Sequence, residues 1–433
     1  MLPNGDNREA SQGRCPILIQ GTLQVAHVEP SDLRIGKPGS IKVTPLPGAM
    51  GGIRWKEQFQ RVDQLLADAI TAGAFPGAAY GVSLRGTVVG LGAVGHFTYA
   101  PDSHPVERGT SFDLASVTKA LATTGMAMLL WQRGQLDLDC SLGELLPGFI
   151  VHQGSGGEFS STERRQVTLR MLLAHCSGLP AYVRYFEEHT TPEGVLRAVL
   201  RTPLVAAPGT VEAYSDPGFI LLGKALEVLA DEPLAQFCQR EIFAPLAMQA
   251  TRFCPSAADR HSIPPTELDQ SFRHCVVQGF VQDENCFVLG GASGHAGLFA
   301  PAVDVLRFAE AMLGPCRPAT TGDLLFERRT VELFTHRAAL VSGSSRALGW
   351  DTPSGLVSSA GSYFAPTSFG HLGYAGTSLW IDPVADIGIV LLTNRTYPER
   401  ANTQIQQVRP AFHDAVRSVL DQDWTRKHSS TFD

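Results

Sequence analysis

The spacing of apolar residues predicts a helix followed by a hairpin near the start of the patterned part of the chain. From residue 55 to residue 70 apolar residues recur every three or four positions, which is typical of an amphipathic helix. Residues 78–84 and 87–91 are two strand-like runs of small and branched residues, and Arg85-Gly86 separates them. A two-residue connection that contains glycine predicts a β-hairpin.

Strand signals return near the other end of the chain, after a long middle with helical spacing. Residues 186–320 are mostly helical by pattern, and residues 153–166 are polar and Gly/Ser-rich, which predicts a mobile loop. Residues 370–381 and 387–394 read as strands, and residues 405–420 as a closing helix. The sequence therefore predicts an α+β fold, in which an antiparallel sheet is flanked by helices and carries an inserted, mainly helical subdomain.

The same pattern predicts one domain preceded by an arm. Residues 1–52 carry Pro, Gly and Ser with little periodicity, so we expect an arm with limited order of its own. The remaining residues, 53–433, are predicted to form the single domain. Its sheet is expected from residues 53–110 and 345–420, and its helical subdomain from about 111–344.

Composition narrows the classes of partner. The 433 residues are 44% hydrophobic and 18% charged, as in an ordinary globular protein, and the net charge of −7 argues against nucleic acid as a partner.

No uninterrupted apolar run is long enough to span a bilayer. The N-terminus lacks the pattern of a signal peptide, so we expect a cytoplasmic protein, or a periplasmic one if the true start site differs. The 8 cysteines form no Cys-x-x-Cys pair, which argues against a zinc knuckle.

One apolar segment carries a candidate catalytic pair. Ser116 and Lys119 lie at the start of an apolar run that extends to Trp131. In a helix, residues three apart share a face, so Lys119 Nζ can approach Ser116 Oγ. A neighbouring amine with a lowered pKa can take the proton of a serine and make it a nucleophile. The plain structural alternative is a helix start with an outward-facing lysine, but the apolar character all round predicts a buried helix.

Two further segments carry side chains that suit the same chemistry. Tyr214 lies in a loop just before the apolar run at 219–223, and a tyrosine can act as a base if a nearby cation lowers its pKa from about 10. His371 lies in a stretch that mixes small and large residues, as strands do where a ligand approaches the backbone. A turn-anchoring tyrosine and a structural histidine are the corresponding structural alternatives.

A metal site and a phosphate-binding loop are the two other kinds of functional site that the residue pattern suggests. Asp283 and Glu284 precede His295, but this separation is not a recognised ligand spacing, and a capped turn is the simpler interpretation. The glycine-rich stretch 290–297 lacks the Gly-Lys-Ser/Thr ending of a phosphate-binding loop. We therefore predict neither a metal site nor a phosphate-binding loop in these segments.

The segments together resemble the serine β-lactamase and penicillin-binding-protein superfamily. Ser116-x-x-Lys119, Tyr214-Ser215-x and the His371-x-Gly373 strand are similar, in this order, to its three active-site elements. The resemblance covers about residues 55–420. Further segments that look like landmarks of the class C, esterase-like and penicillin-binding-protein-like branches are 75–77, 172–179, 208–210, 264–267, 283–285, 294–297 and Asn394.

The resemblance implies a role for each matching residue. Ser116 would be the acylated nucleophile, and Lys119 and Tyr214 would share the proton transfers. The backbone N–H groups of Ser116 and Tyr374, which follows Gly373, would form the oxyanion hole; such donors are commonly worth about 3 to 4 kcal/mol of the barrier. Water would then hydrolyse the acyl-enzyme, without metal or cofactor.

Three residues depart from the superfamily's pattern and bear on the substrate. Asp216 stands where lactamases usually have asparagine, and an ionised aspartate can only accept hydrogen bonds. His371 and Leu372 stand where lactamases favour lysine and a hydroxyl residue, and they would hold a substrate carboxylate poorly. We therefore expect ester hydrolysis of small acyl substrates first, a D-amino-acid peptidase second and efficient β-lactam hydrolysis third. A catalytically silent penicillin-binding sensor is the alternative outside the enzymes.

Overall fold

The computed structural model describes residues 58–150, 160–318, 324–355 and 358–429. The predicted arm, 1–52, lies outside these residues. The strands are β1 (Gly77–Leu84), β2 (Thr87–Gly95), β3 (Phe112–Asp113), β4 (Arg252–Phe253), β5 (Glu267–Asp269), β6 (Cys275–Val277), β7 (Leu298–Ala300), β8 (Phe369–Leu372), β9 (Ser378–Asp382) and β10 (Ile387–Thr393). The α-helices are α1 (Gln60–Thr71), α2 (Gly125–Gln132), α3 (Leu142–Leu145), α4 (Ser161–Arg165), α5 (Leu169–Leu173), α6 (Pro192–Arg201), α7 (Asp216–Ala230), α8 (Leu234–Cys238), α9 (Glu284–Val288), α10 (Ala302–Leu313), α11 (Arg328–Thr335) and α12 (Ile405–Ser429).

The main sheet joins strands from both ends of the described chain. Its order is β2-β1-β10-β9-β8, and every pair is antiparallel. The predicted hairpin of β1 and β2 is present, and β2 is longer than predicted. The single strand predicted over 370–381 is instead the hairpin of β8 and β9, because the small residues between Leu372 and Ser378 form its turn. The predicted α+β fold is confirmed.

Alternate side chains of the sheet enter two different cores. Tyr80 and Val82 of β1 pack with the residues of α1 and α12, and Tyr80 donates a hydrogen bond of 2.7 Å to Asp63. Ala79 points to the opposite face, into the larger core that contains α10. A Cβ at position 81 would lie 2.7 Å from the Leu306 side chain, so Gly81 lets α10 approach the sheet closely. Both faces of the sheet are therefore buried.

The middle of the chain is less purely helical than predicted. The range 186–320 contains helices but also β4, β5, β6 and β7, of which β7 pairs with β3 and β4. Strands of two or three residues are too short to show an alternating pattern, which is why the sequence did not indicate them. The predicted loop at 153–166 also needs correction. Ser161–Arg165 is helical and begins with a capping box of Ser160 and Glu163, while residues 151–159 lie outside the described chain.

The segment after Ser116 is helical and buried, as predicted, but it is not a regular α-helix. It begins at Val117, widens into a π-helix over Lys119–Thr124 and continues as α2. All six side chains of the π-helix are buried. Gly134 follows the helix end with φ of 69°, the left-handed conformation expected of a glycine cap. Across the helices of the described residues, none has the length and apolar character needed to cross a membrane.

Candidate active site

A tight turn places Ser116 between strand β3 and the buried helix. The buried carboxylate of Asp113 accepts hydrogen bonds from the backbone N–H of Ala115 at 2.8 Å and of Gln282 at 2.8 Å. Ala115 has φ of 47°, a left-handed conformation that residues with a Cβ adopt rarely. Backbone strain of this kind persists only where neighbouring bonds hold it. Asp113 thus anchors the turn that presents Ser116.

Lys119 is completely buried, and its ammonium contacts three oxygens. Lys119 Nζ donates to Ser116 Oγ at 2.9 Å and to the backbone oxygen of His295 at 3.0 Å. Asp216 Oδ1 lies 2.7 Å from Nζ, as an ion pair without hydrogen-bond alignment. The side chain has no exposed area, which excludes the outward-facing lysine. The structure therefore brings Ser116, Lys119 and Asp216 together, although Asp216 is 97 positions from Lys119 (216 minus 119).

The pKa of Lys119 is shifted in the direction opposite to the one expected from the sequence. Burial lowers the pKa of Lys119, but the carboxylate of Asp216 and the contact with Tyr214 raise it by more, so its pKa is above the ordinary value. The hypothesis of an amine with a lowered pKa is thus wrong for the resting site. At neutral pH Lys119 is an ammonium that is paired with Asp216.

Tyr214 completes the cluster and is also protonated in the resting site. Lys119 Nζ lies 4.9 Å from the centre of its ring, and the Ser116 side chain is also close to the phenol. Burial raises the pKa of Tyr214 by more than the charge of Lys119 lowers it. The expectation that a cation makes this tyrosine more acidic is therefore not met. The resting cluster holds a serine hydroxyl, an ammonium and a phenol.

His175 is a site residue for which no role was predicted from the sequence. Its Nδ1 accepts a hydrogen bond of 3.0 Å from the backbone N–H of Ser215, and its ring lies 4.5 Å from the Tyr214 ring and 4.9 Å from the Phe219 ring. Burial and the nearby charges of Arg346 and Lys119 hold the pKa of His175 well below its usual range. The imidazole of His175 is therefore neutral, and it packs against the ring of Tyr214. The sequence indicated His175 only through its position in the segment 172–179, which looks like a landmark of the superfamily.

His371 brings an unpartnered acceptor to the same site. Its Nδ1 lies 2.8 Å from the backbone oxygen of Leu372, and since a carbonyl only accepts, Nδ1 carries the proton. Nε2 is then an acceptor, and it is buried without a partner among the described residues. Burial and the charge of Lys119 lower the pKa of His371 to about 3, so the imidazole is neutral, as expected. Such a group can accept a hydrogen bond from a substrate N–H or O–H.

The turn between β8 and β9 lies directly against the Ser116 turn. Thr377 Oγ1 donates to the backbone oxygen of Leu114 at 2.9 Å, and Gly373 N donates to the backbone oxygen of Thr377 at 2.8 Å. A Cβ on Gly373 would lie 1.9 Å from Thr377 Oγ1 and 2.5 Å from the Leu114 oxygen, so only glycine fits. Within the described chain, the backbone N–H groups of Ser116 and Tyr374 donate to no protein acceptor. Both remain available to a ligand.

These residues open onto a cleft of about 440 Å³, whose wall includes Ser116, Tyr214, His371, Gly373 and Tyr374. This volume suits a small acyl compound. Lys119 is not part of the wall because it lies beneath Ser116. The cleft thus combines the hydroxyl of Ser116 with two backbone N–H groups that donate to no protein acceptor among the described residues.

The segment with the candidate metal ligands Asp283, Glu284 and His295 lies behind Lys119. Asp283 Oδ1 is 2.7 Å from His295 Nε2, and it also accepts a hydrogen bond of 2.7 Å from Cys286 N at the start of α9. Glu284 pairs with an arginine at 2.6 Å. The carboxylates and the imidazole therefore have protein partners, and the capped turn is the arrangement observed. Its function here is to hold the His295 carbonyl that receives Lys119.

A buried Ser–Lys–Tyr cluster beside an antiparallel sheet defines the class as the serine hydrolases with a Ser-x-x-Lys motif. The comparisons identify the family. The Beta-lactamase family model matches residues 62–411, so the chain belongs to the beta-lactamase family and is a hydrolase of that family.

Relatives and solved structures agree with this assignment. The chain is 30% identical over 373 residues to an N-acetylmuramyl-L-alanine amidase of Bacillus subtilis strain 168, covering 79% of this chain and 82% of the relative. It is 32% identical over 321 residues to an Escherichia coli K12 protein provisionally named a D-alanyl-D-alanine carboxypeptidase, covering 68% and 71%. The hydrolase EstCE1, with promiscuous acyltransferase activity, matches in fold with a TM-score of 0.64 at 23% identity, over 84% of this chain and all of that one.

A class C beta lactamase from Rhodobacter sphaeroides shares the fold as well. The TM-score is 0.61 at 21% identity, and the match covers 83% of this chain and 99% of that chain. At this level of identity both structural matches bear on the fold alone. The resemblance stated from the sequence motifs is confirmed.

Proposed function

We propose that the protein is an acyl hydrolase that works through an acyl-enzyme on Ser116, and that esters of small acyl groups are its substrates. The observation that carries the proposal is the buried contact of 2.9 Å between Lys119 Nζ and Ser116 Oγ at the base of an open cleft. The free N–H groups of Ser116 and Tyr374 support it, because donors placed at a developing oxyanion lower the barrier to acyl transfer.

The reaction begins with attack of Ser116 Oγ on the ester carbonyl carbon. The serine proton passes to the Lys119–Tyr214 pair, and the carbonyl oxygen becomes an oxyanion that accepts from the two free N–H groups. Collapse breaks the bond to the leaving oxygen, which takes a proton from the same pair. Water then attacks the acyl-enzyme with the roles of the pair repeated, which releases the carboxylic acid and restores Ser116.

The protonation states of Lys119 and Tyr214 determine how the rate of this mechanism depends on pH. Lys119 and Tyr214 are both protonated at rest, so neither can accept the serine proton. The active state is one in which the pair has lost one proton, and its population grows as the pH rises. The two groups are in contact, so this titration belongs to the pair and not to either residue alone.

Replacing Asp216 by asparagine is expected to shift the pH–rate profile. Asp216 holds the pKa of Lys119 above its ordinary value through the contact of 2.7 Å. Without this carboxylate the ammonium loses its proton more readily, so the rising limb of kcat against pH moves to lower pH. Asp351→Asn is the matched control, since Asp351 also lines the cleft but has its nearest ion pair with Arg346, at 3.5 Å. An unchanged limb in Asp216→Asn, or an equal shift in the control, would contradict the mechanism.

The polar groups at the edge of the cleft support esters over β-lactams. His371 is neutral and Leu372 is apolar, so β8 offers no cation or hydroxyl at the positions where lactamases favour them. Asp216 cannot donate to a substrate amide oxygen and is engaged with Lys119. Hydrolysis of peptides that contain D-amino acids is the second candidate, and the names of the two relatives, an amidase and a carboxypeptidase, support it.

A hydrolysis panel tests the proposed substrate class. Short and long p-nitrophenyl esters, nitrocefin and a D-Ala-D-Ala peptide would be compared by kcat/KM with the wild-type protein. We expect the short esters to be hydrolysed fastest, because the cleft is small and its acceptor His371 is neutral. Ser116→Ala gives the background rate for each compound. If nitrocefin were the best substrate, the ester assignment would be wrong, and a fluorescent penicillin that labels without turnover would indicate a sensor.

A further inference from the structure

The carboxylate of Asp113 is a buried acceptor of two backbone N–H groups. It is 2% exposed, and its oxygens each accept at 2.8 Å, Oδ1 from Ala115 and Oδ2 from Gln282. Within the described chain, no lysine, arginine or histidine nitrogen lies within 4.0 Å of either oxygen. The carboxylate is therefore held by hydrogen bonds from the backbone and has no ion pair that fixes its charge.

Asp113 holds the strained residue of the turn that presents Ser116. The backbone on either side is fixed by other bonds: Leu114 N donates to the backbone oxygen of Leu298 at 2.9 Å, and Thr118 N donates to that of Ala115 at 3.1 Å. Between them, Ala115 has φ of 47°, and its N–H donates to Asp113 Oδ1. The next peptide carries the N–H of Ser116, the proposed oxyanion donor, so its direction depends on this bond.

The second bond of Asp113 connects the turn to the segment that positions Lys119. Gln282 N donates to Asp113 Oδ2, and the next residue, Asp283, has Oδ1 2.7 Å from His295 Nε2. The backbone oxygen of His295 accepts from Lys119 Nζ at 3.0 Å. The bond between Asp113 and Gln282 therefore fixes the turn of the nucleophile relative to the carbonyl that receives Lys119.

The charged and titratable groups that face Asp113 leave it close to neutrality at mildly acidic pH. Burial raises the pKa of Asp113 to about 6, although the two N–H donors lower it. The charge of Asp283 raises this pKa further, and the charge of Arg273 lowers it. The thiol of Cys286 also faces Asp113, and burial raises the pKa of this thiol well above its usual range, so it is uncharged.

Two other titratable groups of the site change charge at much lower pH. The charge of His295 lowers the pKa of Asp283 to about 2, by more than burial raises it. Burial lowers the pKa of His371 to about 3. Neither group therefore changes its charge near the pH at which Asp113 takes up a proton.

We propose that Asp113 is a positioning residue whose ionised form holds the hydroxyl and the N–H of Ser116 in place for acyl transfer, and whose protonation lowers kcat. The inference rests on the proposed function and adds control by pH to it. Protonation turns one carboxylate oxygen into a hydroxyl that faces an N–H donor, so one of the two bonds is weakened. A displacement of about 1 Å at the reacting groups costs about 100-fold in rate.

The pH profile of the wild-type protein is the first test. Loss of one proton from the Lys119–Tyr214 pair gives log kcat a slope of one against pH on the acid side of that titration. Protonation of Asp113 adds a second loss, so the slope should increase below about pH 6. At pH 5 we expect kcat for a short p-nitrophenyl ester to lie about 10-fold below the line extended from pH 7 to 8. Circular dichroism at each pH verifies that the protein is folded.

Asp113→Asn removes the titration and one of the two acceptors, because the amide oxygen can serve only one N–H group. We expect kcat at pH 8 to fall about 100-fold, with KM within about threefold of the wild-type value, since the change misplaces the reacting groups and removes no contact with substrate. The variant should keep a slope of one down to pH 5. A residue that only stabilised the fold would not change the slope of the pH profile.

Two further variants show whether the effect belongs to Asp113. Asp304→Asn is the matched control: Asp304 is also buried, accepts the N–H of Ala250 at 2.9 Å and has a pKa raised by burial, but it lies on α10 and does not line the cleft. It should keep the wild-type kcat at pH 8 and the steeper fall below pH 6. Asp216→Asn should also keep the additional fall, which excludes the carboxylate paired with Lys119 as its source.

The outcomes separate this inference from the proposed function. A slope of one down to pH 5 in the wild type would overturn the role of Asp113 without any variant, even if Asp113→Asn does not fold. A steeper fall that persists in Asp113→Asn, or that disappears in Asp304→Asn, would overturn it as well. If a fluorophosphonate failed to label Ser116 at pH 8, the proposed function itself would be wrong. Labelling of Ser116 together with a slope of one would remove only the role of Asp113.

Discussion

Replacing Ser116 by alanine is expected to lower kcat/KM for short esters by at least about 10⁴-fold, since loss of a serine nucleophile removes the covalent path and leaves only the oxyanion donors and binding. The fold should tolerate the change. Ser116 Oγ receives one of the contacts of Lys119, and the ammonium keeps the His295 carbonyl and the Asp216 carboxylate. We expect the free energy of unfolding to change by no more than about 1 kcal/mol.

Covalent labelling makes this result specific to one serine. Intact-mass analysis after treatment with a fluorophosphonate should show one adduct on wild type and none on Ser116→Ala. Ser111→Ala is the control, because Ser111 lies five residues earlier, by subtraction of the two numbers, and lines a separate cavity of about 590 Å³. An adduct that persists in Ser116→Ala, or activity within tenfold of wild type, would show that another residue is the nucleophile.

The sequence could predict features that depend on local spacing. The pairing of Ser116 with Lys119 needs only a helix, in which residues three apart meet, and the contact is present at 2.9 Å. The hairpin of β1 and β2 follows from two strand-like runs separated by Arg85-Gly86. These features require no knowledge of how distant parts of the chain meet. That is why the fold class and the position of the serine could be predicted.

Features that depend on contacts between distant segments could not be predicted. The pKa of Lys119 is decided by Asp216, which the sequence indicated only as a departure from a motif, and the ion pair reverses the expected direction of the shift. Likewise, Arg395 and Arg409 have no motif of their own. They reach the cleft because the strand order places β10 and α12 beside the β8–β9 turn. The pKa values and charges at a buried site can therefore be derived only from the tertiary structure.

The cluster around Lys119 is close to neutral, whereas the wall of the cleft is positive. Lys119 is balanced by Asp216 at 2.7 Å, and Arg346 by a glutamate at 2.9 Å. Among the described residues, no carboxylate forms an ion pair with Arg395 or Arg409. The cluster and the wall of the cleft therefore differ in charge and are formed by different residues, so the charge of each can be changed by separate variants.

Replacing Lys119 by methionine is expected to lower kcat/KM by about 10³- to 10⁴-fold, because the pair that moves the serine proton is reduced to Tyr214 alone. The variant should also be less stable. Lys119 is fully buried against Asp216, and removing one partner of a buried ion pair leaves the other charge uncompensated, at a cost of about 3 kcal/mol. Fluorophosphonate labelling of Ser116 should slow in parallel with ester hydrolysis, since both need the activated serine.

The double variant Lys119→Met/Asp216→Asn separates proton transfer from charge balance. Neutralising Asp216 removes the uncompensated charge, so most of the lost stability should return in urea unfolding. Ester hydrolysis and labelling should stay as low as in the single variant, because asparagine supplies no group that can accept the serine proton. If activity returned together with stability, Lys119 would serve only to neutralise Asp216. Tyr214 would then be the residue that takes the proton from Ser116.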